Sequence, residues 1–208
     1  MKIHEIETPR GPARVHLHPA DAPRAALILG HGAGGGVEAP DLVAATEAAR
    51  AEGVNVALVE QPYRVAGRRS PPGPAQLDAA WTAVVEALRA DELSELPLIV
   101  GGRSLGGRVA CRTAEETGAV AVLCLAFPLE PPPRAGKPPQ SRLAELEAVT
   151  LPMLVVQGER DPFGMPPPGP SREVVAVPGD HGLKADLAAV ATAVRGWLAE
   201  IIPAARKT

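Results

Sequence analysis

The sequence predicts an α/β protein built on a mostly parallel central sheet of about eight strands. Three observations carry this. Short apolar runs of strand length alternate along the chain with segments of helical periodicity. The runs are continuously apolar rather than alternating, as strands covered on both faces by helices should be. The chain has 208 residues, 46% hydrophobic and 22% charged, which suits one globular domain over 1–208 with a sizeable core.

Taken in order, Ile3–Thr8 and Ala13–His18 meet at Gly11-Pro12 and predict an antiparallel hairpin at the sheet edge. The covered strands read Ala25–Leu29, Val54–Val59, Leu98–Val100, Ala121–Leu125, Met153–Val156 and Val174–Val177. Helices are predicted near Asp41–Glu52, Ala75–Ala90, Leu105–Thr117, Arg142–Val149 and Ala185–Ile201. The last is the clearest: Leu183, Leu187, Val190, Val194, Trp197 and Ile201 recur at three- and four-residue steps, giving one apolar stripe. Gly118 reads as the residue that ends the third helix. No linker or internal repeat divides the chain, and Leu129–Val149 is too short for a large lid domain.

Composition narrows the function classes. Aromatics make up only 2%, so Val, Leu, Ile and Ala must fill the core. A net charge of −3 gives no reason to expect nucleic acid as a partner. Cys111 and Cys124 are not spaced as C-x-x-C and read as buried, reduced thiols. Residues 1–10 lack a signal-peptide core, and the longest apolar run, Ala119–Phe127, is too short to span a bilayer. A cytoplasmic protein away from the membrane is expected, and its oligomeric state is left open. The 24 prolines cluster after strand ends. In a parallel sheet that is the carboxyl edge, where ligands bind. Tolerated composition bias accounts for them equally well.

The chemistry centres on Gly102-Arg103-Ser104-Leu105-Gly106, a G-x-S-x-G motif where a strand-like run meets a helix-like one. A serine hydroxyl needs a rigid mount and a base before it can act as a nucleophile. Downstream, one strand ends in Gly158-Glu159-Arg160-Asp161-Pro162 and the next in Gly179-Asp180-His181. The order Ser104, Asp161, His181 places an acid and a base after successive strands. His181 would move the Ser104 proton, and Asp161 would orient the imidazole. Glu159, Glu130 and Asp180 are the rival acids, of which Asp180 is too close to His181 in sequence to reach its ring.

Gly30-His31-Gly32-Ala33-Gly34-Gly35 satisfies the dinucleotide pattern G-x-G-x-x-G, with Glu60 in place of the ribose-binding acid. Pro40, however, implies that the helix starts several residues after the glycines. The same loop suits an oxyanion hole, with the N–H groups of Leu105 and Ala33 as donors and Gly34 as the fallback. His31 reads as a packing residue of that loop. Tyr63, Arg64, Arg68 and Arg69 follow the strand ending at Glu60. As substrate-binding residues they would meet a carboxylate or phosphate, while a solvated loop is the plainer reading. Arg103 should point away from the pocket. His16-x-His18 lacks an evident acidic or thiol partner, so no metal is expected.

With these residues named, the chain resembles the α/β-hydrolase superfamily over nearly its whole length. It is most similar to small lidless members: dienelactone-hydrolase-like proteins, and the branch of the NSL-complex subunit and testis-expressed hydrolase-like proteins. The resemblance lies in His31–Gly35, Pro62-Tyr63-Arg64, Gly67-Arg68-Arg69, Gly101–Gly106, Gly158–Pro162 and Asp180-His181. It implies the α/β-hydrolase fold, a Ser104-Asp161-His181 triad, acyl-enzyme chemistry on a small ester or thioester, and no cofactor. Ser104 stands where dienelactone hydrolases carry Cys, so their substrate does not transfer. The Asp161–Val174 stretch leaves little room for the helix usual there. The NSL-type branch keeps a non-catalytic binding module as the rival function, with a dinucleotide-binding protein behind it.

Overall fold

The computed structural model describes residues 2–131 and 140–202. Pro132, Pro133, Pro138 and Pro139 of the middle proline cluster lie outside them. Eight strands form one sheet: β1 (Lys2–Ile6), β2 (Ala13–His18), β3 (Ala25–Gly30), β4 (Val54–Glu60), β5 (Leu98–Arg103), β6 (Ala121–Leu125), β7 (Met153–Gly158) and β8 (Arg172–Val177). Their spatial order is β1-β2-β4-β3-β5-β6-β7-β8. The β1–β2 and β2–β4 pairings are antiparallel, and the rest are parallel. The six parallel strands therefore present their carboxyl ends along one edge.

The helices are α1 (Pro40–Ala51), α2 (Pro62–Val65), α3 (Pro74–Ala90), α4 (Leu105–Thr113), α5 (Leu143–Glu147) and α6 (Leu187–Ile201). Pro40, Pro62 and Pro74 each open a helix, where a missing N–H costs nothing. The apolar strands serve two cores at once. In β3, Ala26 and Ile28 join α3, α4 and α5 on one face, while Ala25, Leu27 and Leu29 join α1 and α6 on the other. Both faces need apolar side chains, which is why the runs lack alternation.

Helix ends depart from expectation by a few residues. The third predicted helix stops at Thr113, and residues 114–118 continue as turns, closed by Gly118 at φ +64°. The last helix begins at Leu187, because Asp186 caps it by accepting the Ala189 N–H at 2.9 Å. The four-residue α2 was not predicted, being too short to show a period. Between β6 and β7 the described residues hold only α5, and between β7 and β8 they hold no helix. No helix among the described residues is long and apolar enough to cross a membrane. Cys111 and Cys124 are buried free thiols with their Sγ atoms 3.6 Å apart. The Cys111 thiol beside it and burial together push the Cys124 thiol well up from its usual range.

Candidate active site

Ser104 sits between β5 and α4 at φ 51° and ψ −106°, backbone angles that a side-chain-bearing residue rarely adopts. Such a kink holds only if the neighbours permit it. The Ser104 N–H is tied to the Leu125 carbonyl of β6 at 2.9 Å. A Cβ on Gly102 would stand 2.5 Å from the Gly30 oxygen, and one on Gly106 would overlap the same carbonyl. Only glycine at both places lets the elbow close onto the end of β3.

The loops after β7 and β8 run side by side. Glu159 N–H donates to Val177 O at 2.9 Å and Arg160 N–H to Gly179 O at 2.9 Å. This brings Asp161 to His181. His181 Nε2 lies 3.0 Å from Ser104 Oγ, and its Nδ1 lies 2.8 Å from Asp161 Oδ2. A carboxylate can only accept, so Nδ1 carries a proton, and in the neutral ring Nε2 then faces the serine as acceptor. The Asp161 side chain is 1% exposed, and its Oδ1 accepts the Phe163 N–H at 2.9 Å. The Phe163 ring lies 4.4 Å from that of His181. The rival acids stand elsewhere: Glu159 and Glu130 are exposed, and Asp180 accepts from Gly182 N–H at 2.8 Å.

The glycine loop spans Gly30 to Pro40 before α1 begins, so its glycines do not open a helix as a dinucleotide loop would. Glu60 is held by His16 at 2.7 Å and Arg14 at 3.9 Å. The acidic partner that the sequence did not reveal for His16 is thus across the β2–β4 pairing. Among the described residues no group of three or more His, Cys, Asp or Glu side chains could hold a metal.

Two buried side chains instead set the shape of this loop. His31, 2% exposed, has Nδ1 2.8 Å from Gly32 O and accepts the Gln61 N–H through Nε2 at 3.1 Å. One nitrogen accepts, so the other donates, and the ring is neutral. Burial also pushes the His31 pKa down. The peptide plane is trans, so fixing Gly32 O points the Ala33 N–H the opposite way. Tyr63 is 4% exposed and donates its hydroxyl to Ala33 O at 2.9 Å. Burial pushes its pKa up to about 12. The side chain expected to meet substrate is turned inward and supports the loop. Arg64 and Arg68 do lie at the carboxyl edge, with Arg64 Nη1 3.4 Å from Arg68 O. Leu105 is the first residue of α4, whose N–H has no partner within its helix.

Arg103 ties together two loops and the first turn of α1. Its Nη2 donates to His181 O at 2.9 Å, and its guanidinium packs against Gly32. Its Nε pairs with Asp41 Oδ2 at 3.0 Å. Asp41 is fully buried; burial pushes its pKa up, and Arg103 opposes this.

A family model described as an alpha/beta hydrolase domain matches residues 23–186. A search of curated protein sequences gives no significant match. Among solved structures, a lidless α/β serine hydrolase from Xanthomonas campestris superposes with a TM-score of 0.78 at 19% identity, covering 98% of this chain and 95% of its own. The protein Est1E from Butyrivibrio proteoclasticus gives 0.75 at 18%, covering 96% and 98%. A dienelactone hydrolase from Anabaena variabilis gives 0.75 at 16%, covering 97% and 98%.

Proposed function

Because this chain belongs to the alpha/beta hydrolase domain family, we propose that it is a serine hydrolase cleaving a small carboxylic ester or thioester through an acyl-enzyme. The observation that carries the reading is the line from Ser104 Oγ through His181 to the buried Asp161, 3.0 Å and then 2.8 Å. Both spacings lie within proton-transfer reach.

In this reading Ser104 Oγ attacks the carbonyl carbon while His181 Nε2 takes its proton. Asp161 stabilises the imidazolium without itself being protonated. The oxygen that becomes negative is met by the Leu105 and Ala33 N–H groups, which need no reorganisation as charge develops. Collapse expels an alcohol or thiol that takes the proton from His181. Water then attacks the Ser104 ester with His181 as base, and a carboxylic acid leaves. Arg64 and Arg68 are our assignment for an anionic group on the substrate, and Tyr63 acts through Ala33.

A panel of short-chain p-nitrophenyl esters and acyl-coenzyme A esters, run beside Ser104→Ala, tests the proposal. Hydrolysis that disappears in the variant supports it. No turnover across the panel would leave a binding module on a hydrolase scaffold.

A further inference from the structure

Gln157 belongs to β7, four residues before Asp161, and is fully buried. It is a polar residue at the end of an apolar strand, and burying an amide is costly unless something is gained. Its Nε2 faces three acceptors: Asp161 Oδ2 at 2.9 Å, Phe127 O at 3.0 Å and Gly164 O at 2.9 Å. Among the described residues its Oε1 has no hydrogen-bond partner. Turning the amide over would aim a carbonyl oxygen at three oxygens, so the surroundings fix the orientation.

Asp161 Oδ2, the atom Gln157 holds, is the one that accepts from His181 Nδ1. The other Asp161 oxygen is held by its own loop, through Phe163 N–H. Among the described residues, Oδ2 is thus the Asp161 oxygen that receives a donor from the sheet. The same amide also ties the ends of both flanking loops, at Phe127 after β6 and at Gly164 after β7. From this we infer that Gln157 is a positioning residue, which fixes the Asp161 carboxylate toward His181 and acts on Ser104 only through that acid. The inference rests on the serine-hydrolase reading above. Touching neither substrate nor reacting atoms, it is not a catalytic residue.

The test is a double-mutant cycle with p-nitrophenyl acetate, with the active fraction counted by fluorophosphonate. Gln157→Met keeps the length and removes the donor. It should lower kcat about 10- to 100-fold with KM within about twofold, the size expected for losing one hydrogen bond to a charged group. In the Asp161→Asn background the same change should cost less than about threefold, since the acid it serves is gone. Full independent losses in both backgrounds would make Gln157 a packing residue and overturn the inference, as would an unchanged kcat in the single variant. If Gln157→Met does not fold, Gln157→Leu, which also removes the donor and adds no titratable group, must meet the same criteria. A wild-type protein that neither labels nor hydrolyses would refute the hydrolase reading itself. A labelled wild type beside a fully active Gln157 variant would refute this inference alone.

Discussion

The Tyr63 hydroxyl donates to the Ala33 carbonyl at 2.9 Å, from a side chain only 4% exposed. A residue whose neighbours suggested contact with substrate instead holds the loop proposed to meet the oxyanion. The Ala33 carbonyl shares its peptide plane with the Gly34 N–H, so Tyr63 and His31 together set the direction of two successive donors.

Tyr63→Phe removes this bond and little volume. We expect kcat to fall about 3- to 10-fold, the size of one modest hydrogen bond, with KM nearly unchanged. Steady-state kinetics on a p-nitrophenyl ester checks it. A large rise in KM with constant kcat would return Tyr63 to the substrate pocket.

Arg103 and Asp41 form a pair in which the acid is fully buried. Removing only the cation leaves an uncompensated carboxylate. Arg103→Ala should therefore destabilise the fold by about 3 kcal/mol in urea unfolding. Combining it with Asp41→Asn should recover part of that loss, because the orphaned charge goes too. Strictly additive effects would show that the pair is not coupled.

His31 supplies a pH dependence of known sign. Burial lowers its folded pKa from the usual 6.5, so below that pH the unfolded chain binds a proton that the folded chain resists. The stability His31 contributes is complete above pH 6.5 and declines as pH falls toward the lower folded value. His31→Gln cannot titrate, and other groups cancel in the comparison. The stability gap between wild type and variant should thus narrow between pH 7 and pH 5, by no more than about 1.4 kcal/mol per pH unit. Urea unfolding at several pH values reads it, and a widening gap would mean that the folded state favours the charged ring.

Much of the fold was legible because the sheet is covered on both faces, so each parallel strand announces itself as an apolar run. Ser104, Asp161 and His181, the candidates the sequence offers, are brought together because each follows its own strand and the parallel topology aligns those ends on one edge. Other features were hidden for particular reasons. The pairing of His16 with Glu60 crosses 44 residues and depends on the β2–β4 register, which no local pattern reveals. Gln157 could have been noticed as a polar residue closing an apolar strand, but its target is set by how the next turn folds back. Tyr63 reads in sequence only as part of an arginine-rich loop; its burial and its bond to Ala33 O were hidden, because α2 is too short to show which face turns inward. Asp41, in the first turn of α1, reads as an ordinary helix-start acid until Arg103 is seen to reach it.

The central claim is that Ser104 is a nucleophile activated through His181. Labelling with a fluorophosphonate probe, followed by peptide mapping, tests it most directly. The account predicts one modified residue, Ser104, with labelling abolished in Ser104→Ala and strongly slowed in His181→Ala. Labelling that persists undiminished in Ser104→Ala, or a wild-type protein that takes up no probe, would contradict it.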